Sequence, residues 1–369
     1  MALTRALVIL PKISGVLSII GSGLLARHVT KKGLKEVSLT SHVLLHISIV
    51  DIISSFFAYF LSSWLAPKGS MPYAAGNMAT CTFQGVVFVF SLIYFATSYA
   101  ELSAIYWLMV QPGWAQSKMK RKGIRYGFTL PPVLIGLCAA IPPIFFGFYN
   151  PTLFNCFLND RTPDSCEGNP EVACTRGDQA DYAQIAVFSY VLLGNLVLVV
   201  FICLLVYAVY KQEKKSDQYL SKGQAKNRKN TINTAWQGVR YSSAYFLTYF
   251  MSYVILGYDV IGDDGRNIST AGEYTLEFFY VILTPLMGFF NAGVYFYPRY
   301  SAKRQQNPEL TKMSCLCLVL GFEGLGERLC DRRRGKTATS TPDDARSGSA
   351  EQKEEERPDE DLMDIIDAA

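Results

Sequence analysis

The stretch TPLMGFFNAGVYFYPRY, residues 284–300, closes an apolar run that begins at Tyr274. A helix needs about 20 apolar residues to cross a hydrocarbon core of about 30 Å, and the run 274–297 meets that length. Its inner half nevertheless carries Pro285, Gly288 and Asn291, and it stops at Pro298 and Arg299. A passive anchor has no use for a helix kinker, a bare glycine and a polar amide. Proline removes a backbone donor and bends a helix, and glycine allows close packing or a further bend. The segment therefore reads as a membrane span with a hinge.

Six more apolar blocks precede it, at 6–25, 43–65, 83–110, 126–148, 182–210 and 234–256. The chain has 369 residues and is 50% hydrophobic. Soluble domains are also about half apolar, so the clustering carries the reading and the total does not. Seven blocks separated by charged loops predict an all-α membrane protein, a seven-transmembrane helix bundle. The fifth block exceeds the span required and is expected to continue into the cytosol as a helix through Lys215. Pro11 and Lys12 interrupt the first block and no small-x-small cleavage site follows. It therefore reads as an uncleaved span rather than a signal peptide, which leaves any ligand to the outer loops or the bundle.

Short loops rich in Lys and Arg face the cytosol. The first loop holds Arg27, Lys31, Lys32 and Lys35, and the third holds Lys118, Lys120, Arg121, Lys122 and Arg125. The fifth, 211–229, is equally basic, whereas the even loops hold only Lys68, then Arg161 and Arg176, then Arg266. This bias puts the N-terminus outside and the C-terminus inside. Cysteine usage agrees with that orientation. Cys81 opens the third span on the outer side, and Cys156, Cys166 and Cys174 lie in the second outer loop. Four cysteines on the oxidising side can form two disulfides in three pairings. The sequon at Asn267 also falls in an outer loop.

Particular strings carry a resemblance. PKISGVLSIIGS (11–22), SSWLAPKGS (62–70), GNMATCTFQG (76–85), NPTLFNCFL (150–158), ACTRGDQADY (173–182) and the opening stretch resemble G-protein-coupled receptors of diatoms and related protists. Those receptors are similar in turn to the cyclic-AMP-receptor-like and fungal glucose-receptor-like families. The match covers about residues 8–300. It implies a plasma-membrane receptor that joins an extracellular ligand to a heterotrimeric G protein. It also implies a Cys81–Cys156 bridge, with Cys166 and Cys174 closing a second, smaller loop.

The chain departs from the family in places. Tyr99-Ala100-Glu101 stands where the third span usually has an asparagine, and Pro285-Leu286-Met287-Gly288 where Pro-Leu-Gln-Gly is usual. The Asp-Arg-Tyr triplet of rhodopsin-like receptors is absent. Asn291 and Tyr295 resemble the Asn-Pro-x-x-Tyr switch, with Ala292 in place of the proline.

Ionisable groups inside a bilayer are costly and mark candidate sites. Asp51 lies in the middle of block two. One reading satisfies it with Ser48 and Ser54; the sharper one joins it to Asn291 in a polar site. Glu101 and Arg240 both sit roughly 15 Å from their inner ends at 1.5 Å per residue and are candidates for a latch between spans three and six. The alternative sends the Arg240 head to the interface and bonds Glu101 to Ser98. Tyr241, Tyr245, Tyr249 and Tyr253 recur every four residues, on one drifting helical face. Packing between helices explains them, and a ligand-lining role falls only to Tyr249 and Tyr253. Glu277 is a candidate contact for a cationic ligand, or a partner for Lys12.

Span seven has no lysine between 274 and 297, so it offers no Schiff-base site for retinal. No HExxH, phosphate-binding loop or His/Cys metal motif appears. The sequence therefore points to no enzyme, metal or cofactor, and nothing in it suggests nucleic-acid binding. The basic third inner loop fits both anionic lipid and a G protein.

The expected organisation is a receptor domain over 1–300, a juxtamembrane segment over 301–330 and a disordered acidic tail over 331–369. The juxtamembrane segment contains CLCLVLGF and reads as a surface helix with Cys315 or Cys317 palmitoylated. The rival readings are a seven-span transporter or channel and a receptor-like scaffold without G-protein coupling. No internal repeat of the transporter kind is visible.

Overall fold

The structure, a computed structural model, describes residues 2–31, 38–111, 122–152, 154–159, 176–177, 179–216, 232, 235–250, 252, 254 and 271–322. Six helices among these are long and apolar enough to cross a membrane. Residues 235–250 form a further helix at the sixth block. The described residues form an all-α bundle of the seven-transmembrane-helix class.

Helix α1 is Ala2–Lys31 and α2 is Leu39–Ser54, whose N-cap is Ser38 accepting from the Ser41 N–H. α2 does not run straight to the outer surface. It widens into a π-turn, Ser55–Phe60, then tightens into a 3-10 turn, Ser62–Leu65. Ser48 and Ser54 donate their hydroxyls to backbone carbonyls of the preceding turn, Leu44 and Asp51, a habit that loosens helices. π-turns recur at functional positions.

Helix α3, Met78–Val110, begins at an Asn77–Thr80 capping box and ends at Gln111, an extended residue before Pro112. α4 is Lys122–Ala140, with Pro131 and Pro132 inside it, and a short helix Pro142–Phe145 follows. Strands β1 (Tyr149–Pro151) and β2 (Cys156–Leu158) pair antiparallel, Tyr149 opposite Leu158. α5 is Ala180–Ser216, one residue beyond the Lys215 that its sequence predicted. α6 is the helix over 235–250. Span seven is α7 (Ala271–Leu283), a 3-10 turn Thr284–Leu286, and α8 (Met287–Gln306). The expected stop at Pro298 is therefore corrected: the helix carries that proline inside it and ends at Gln306. The break lies at Pro285, where the backbone narrows to 3-10 geometry.

The chain divides into two compact units, Met1–Ala292 and Gly293–Ala369. In the first, α3 is the central helix and packs on α2, α4, α5 and both strands. α1 packs on α2 and its π-turn, on α7 and on the 3-10 turn of span seven. On α5, Leu192, Leu193, Leu196, Val200 and Tyr207 are exposed while Val191, Leu198 and Leu205 are buried. A helix whose central stretch is almost entirely apolar, with bulky residues turned outward, suits lipid, where the hydrocarbon covers them. In the second unit, α9 (Lys312–Val319) is capped by Thr311, which accepts from the Ser314 N–H.

Candidate functional site

The buried polar residues concentrate where α1, α2 and span seven meet. Asp51 is 2% exposed, and Ser18 and Ser22 are sealed off completely. Both hydroxyls donate to Asp51 Oδ2, Ser18 at 2.9 Å and Ser22 at 2.8 Å. Ser18 Oγ in turn accepts the Gly288 N–H at 2.8 Å. One carboxylate, two hydroxyls and one backbone amide thus form a continuous chain across three helices.

Glycines make this contact possible. A Cβ on Gly288 would meet Asp51 Oδ2 and Ser22 Oγ, and a Cβ on Gly21 would lie 2.7 Å from the Gly288 carbonyl oxygen. Gly288 follows the 3-10 turn at Pro285, so the bend in span seven and its tie to α1 are adjacent.

The Asp51 partners differ from those expected. Ser48 and Ser54 turn to their own backbone, and the carboxylate is served by α1. Ser14, Ser18 and Ser22, spaced by four and all buried, form one polar face of α1. That spacing was the signal for these residues. Asn291 does not bond Asp51. Its Oδ1 accepts the Tyr99 hydroxyl at 2.7 Å, linking α3 to span seven. Tyr99 stacks on Tyr245 with centroids 4.5 Å apart, and Tyr245 lies 4.9 Å from Tyr249. Lower down, Tyr106 stacks on Tyr241. The tyrosine face of α6 is therefore packed against α3, and Tyr249 is 3% exposed. Thr284 donates to the Thr248 carbonyl, tying α6 to the break in span seven.

The outer end is closed by the hairpin. Cys81 and Cys156 form a disulfide. Tyr149 covers Gly85 and donates its hydroxyl to the Ala140 carbonyl at 2.6 Å. Burial pushes the Tyr149 phenol above its ordinary pKa, so it stays a neutral donor. Beneath the strands, Phe157 sits edge-on to Phe88, Phe88 to Tyr59, and Phe154 to Tyr280.

Two further polar residues, Lys12 and Gln84, reach the outer end of span two. Lys12 directs its ammonium to the carbonyls of Phe60 and Leu61 and to the Ser62 hydroxyl, at 2.9–3.4 Å, and lies 4.1 Å from the Trp64 ring centre. Its three donors are committed to span two, so it is not the partner of Glu277. Gln84, fully buried, donates to the Phe57 and Ser62 carbonyls and accepts the Cys156 N–H.

The other expected site residues are placed as follows. No ion pair joins Glu101 to Arg240 among the described residues, and Glu101 Oε2 is buried without a hydrogen-bond partner there. In the second unit, Arg299 lies 3.9 Å over the Tyr295 ring and donates to the Tyr295 carbonyl. Cys315 and Cys317 are both buried on α9, and Cys315 Sγ points to the Tyr300 carbonyl. Tyr253, Asn267, Cys166 and Cys174 lie outside the described residues.

No protein-family model matches the chain, and no curated protein matches it in sequence. Its fold is similar to the crystal structure of squid rhodopsin, with a TM-score of 0.62 and 16% identity. The likeness covers 83% of this chain and 81% of that one.

Proposed function

We propose that the chain is a G-protein-coupled receptor that carries an extracellular stimulus to a heterotrimeric G protein at the plasma membrane. The observation that carries this reading is the buried chain of hydrogen bonds from Asp51 through Ser18 to Gly288. Polar contacts at this depth are costly and mark function, and this one ends beside the 3-10 break in span seven. A fold shared with squid rhodopsin, a G-protein-coupled receptor, supports the same reading.

The mechanism is a shift between two arrangements of the bundle, driven by a ligand that binds one of them better. The stimulus acts under the hairpin, among Tyr59, Phe88 and Phe157. The polar chain and the Tyr99–Asn291 bond hold span seven in one arrangement. The basic third inner loop is the surface offered to the G protein. The strings that resemble receptors of diatoms and related protists favour a receptor of that type. Retinal is not the ligand, because span seven lacks the lysine it would need.

The test is guanine-nucleotide exchange on purified heterotrimeric G proteins, with the chain in lipid nanodiscs and a panel of cyclic nucleotides, sugars, amines, peptides and lipids. Exchange raised by a compound in the wild type, and altered by Asp51→Asn, supports the reading. Solute uptake by the purified chain in vesicles, with no exchange on any G protein, would replace it with the transporter.

A further inference from the structure

We propose that Gln84 is a positioning residue through which the second outer loop sets the conformation of the broken outer end of span two. The turn of span two from Ser55 to Leu65 abandons regular α-helix geometry twice. Carbonyls along it are held by side chains of other helices rather than by the helix alone. Lys12 of α1 takes those of Phe60 and Leu61. Thr80 of α3 takes that of Leu65 at 2.6 Å. Gln84 takes those of Phe57 at 3.0 Å and Ser62 at 2.9 Å.

Gln84 differs from the other two because it also faces the hairpin. Its Oε1 accepts the N–H of Cys156 at 3.0 Å. Cys156 is both a disulfide partner and the first residue of β2. A primary amide has two donors on one atom and an acceptor on the other. At this position both faces are used at once, and the residue is sealed from solvent. The same site excludes slack: Gly85, the next residue, has the Tyr149 ring where a Cβ would be. A shift of β2 therefore either breaks the Cys156 bond or drags the amide and, with it, two carbonyls of span two. Four residues inward from Ser55 lies Asp51, and through Ser18 the path reaches the break in span seven.

The bearing of this coupling on signalling rests on the reading above; the coupling itself is a property of the chain without any stimulus. Hydrogen exchange of the full chain in lipid nanodiscs tests it, read at peptides covering 55–66 and 149–158. Gln84→Met, close in shape and without polar atoms, should speed exchange in both segments, about fivefold per lost hydrogen bond. Gln84→Glu keeps the acceptor for Cys156 and loses donor capacity, so the rise should concentrate in 55–66. Asn150→Ala loosens the hairpin from its far side, where Asn150 Nδ2 holds the Gly147 and Asn159 carbonyls. It should speed exchange of 55–66 in the wild type and add nothing in the Gln84→Met background. The proposal is overturned if Gln84→Met leaves 55–66 unchanged, or if Asn150→Ala acts equally in both backgrounds. If Gln84→Met does not fold, a rise in 55–66 with Asn150→Ala alone, and with Gln84→Glu, supports the coupling; no rise overturns it. A failed G-protein assay leaves these results standing, and a failed exchange experiment leaves the receptor reading untouched.

Discussion

Replacing Asp51 with alanine strands the Ser18 and Ser22 hydroxyls, both fully buried in the bundle. Hydrogen bonds to a charged group are worth about 1.5–3 kcal/mol, and interhelical bonds in membranes lie nearer 1 kcal/mol because the displaced groups find other partners. Asp51→Ala should therefore destabilise the purified chain by about 1–3 kcal/mol, read as a lower melting midpoint in detergent. Asp51→Asn, which keeps an acceptor oxygen, should cost less; equal losses would show that the carboxylate charge matters and the hydrogen bonds do not. Gly288 gives a second residue-scale contrast. A valine there would drive its side chain into Asp51 and Ser22, and overpacking of this kind costs about 1–3 kcal/mol. Gly293→Ala, five residues on, meets nothing within 4 Å. It should be neutral or slightly stabilising in the same melting assay, since alanine is the better helix former.

At the scale of the element, the break in span seven is the part most exposed to test. Thr284–Leu286 is a 3-10 turn because Pro285 supplies no N–H to the preceding turn. Pro285→Ala allows the regular ladder to close and should straighten the span. If the break is a hinge, this variant melts no lower than wild type yet loses most of its stimulus-driven nucleotide exchange. An unchanged response with unchanged stability would make the break a mere irregularity. The existence of the break was legible, since a proline in an apolar run announces it. The break in span two was not: residues 55–65, SFFAYFLSSWL, hold neither Pro nor Gly. Its irregular turns exist because Lys12, Thr80 and Gln84 reach it from other helices, and no local pattern reports what a distant side chain will bind.

For the whole molecule, the disulfide between Cys81 and Cys156 joins residues 75 apart in sequence. Closing so long a loop is worth about 4 kcal/mol in the chain-entropy account. The double variant Cys81→Ser/Cys156→Ser should lower the melting midpoint markedly and weaken protection of β1 and β2 in hydrogen exchange. A midpoint unaltered by the double variant would show that the hairpin holds by packing alone. The bridge was expected from family resemblance only; the residues themselves left three pairings open. In the structure, Cys156 lies on a strand directly over the start of α3, and the remaining outer cysteines belong to residues it does not describe.

The sequence by itself determined the seven-helix class of this protein and predicted its orientation. Apolar block length is set by bilayer thickness, and loop charge is set by topology, so both can be read in one dimension. It also marked Asp51, Pro285, Gly288 and Asn291 as the residues out of place in a membrane. Only the tertiary structure decided their partners. Asp51 took Ser18 and Ser22 rather than Asn291, and Asn291 took Tyr99, because helix rotation and crossing determine which faces meet. Those follow from close approach at Gly21 and Gly288, where two backbones come together and leave no room for a side chain.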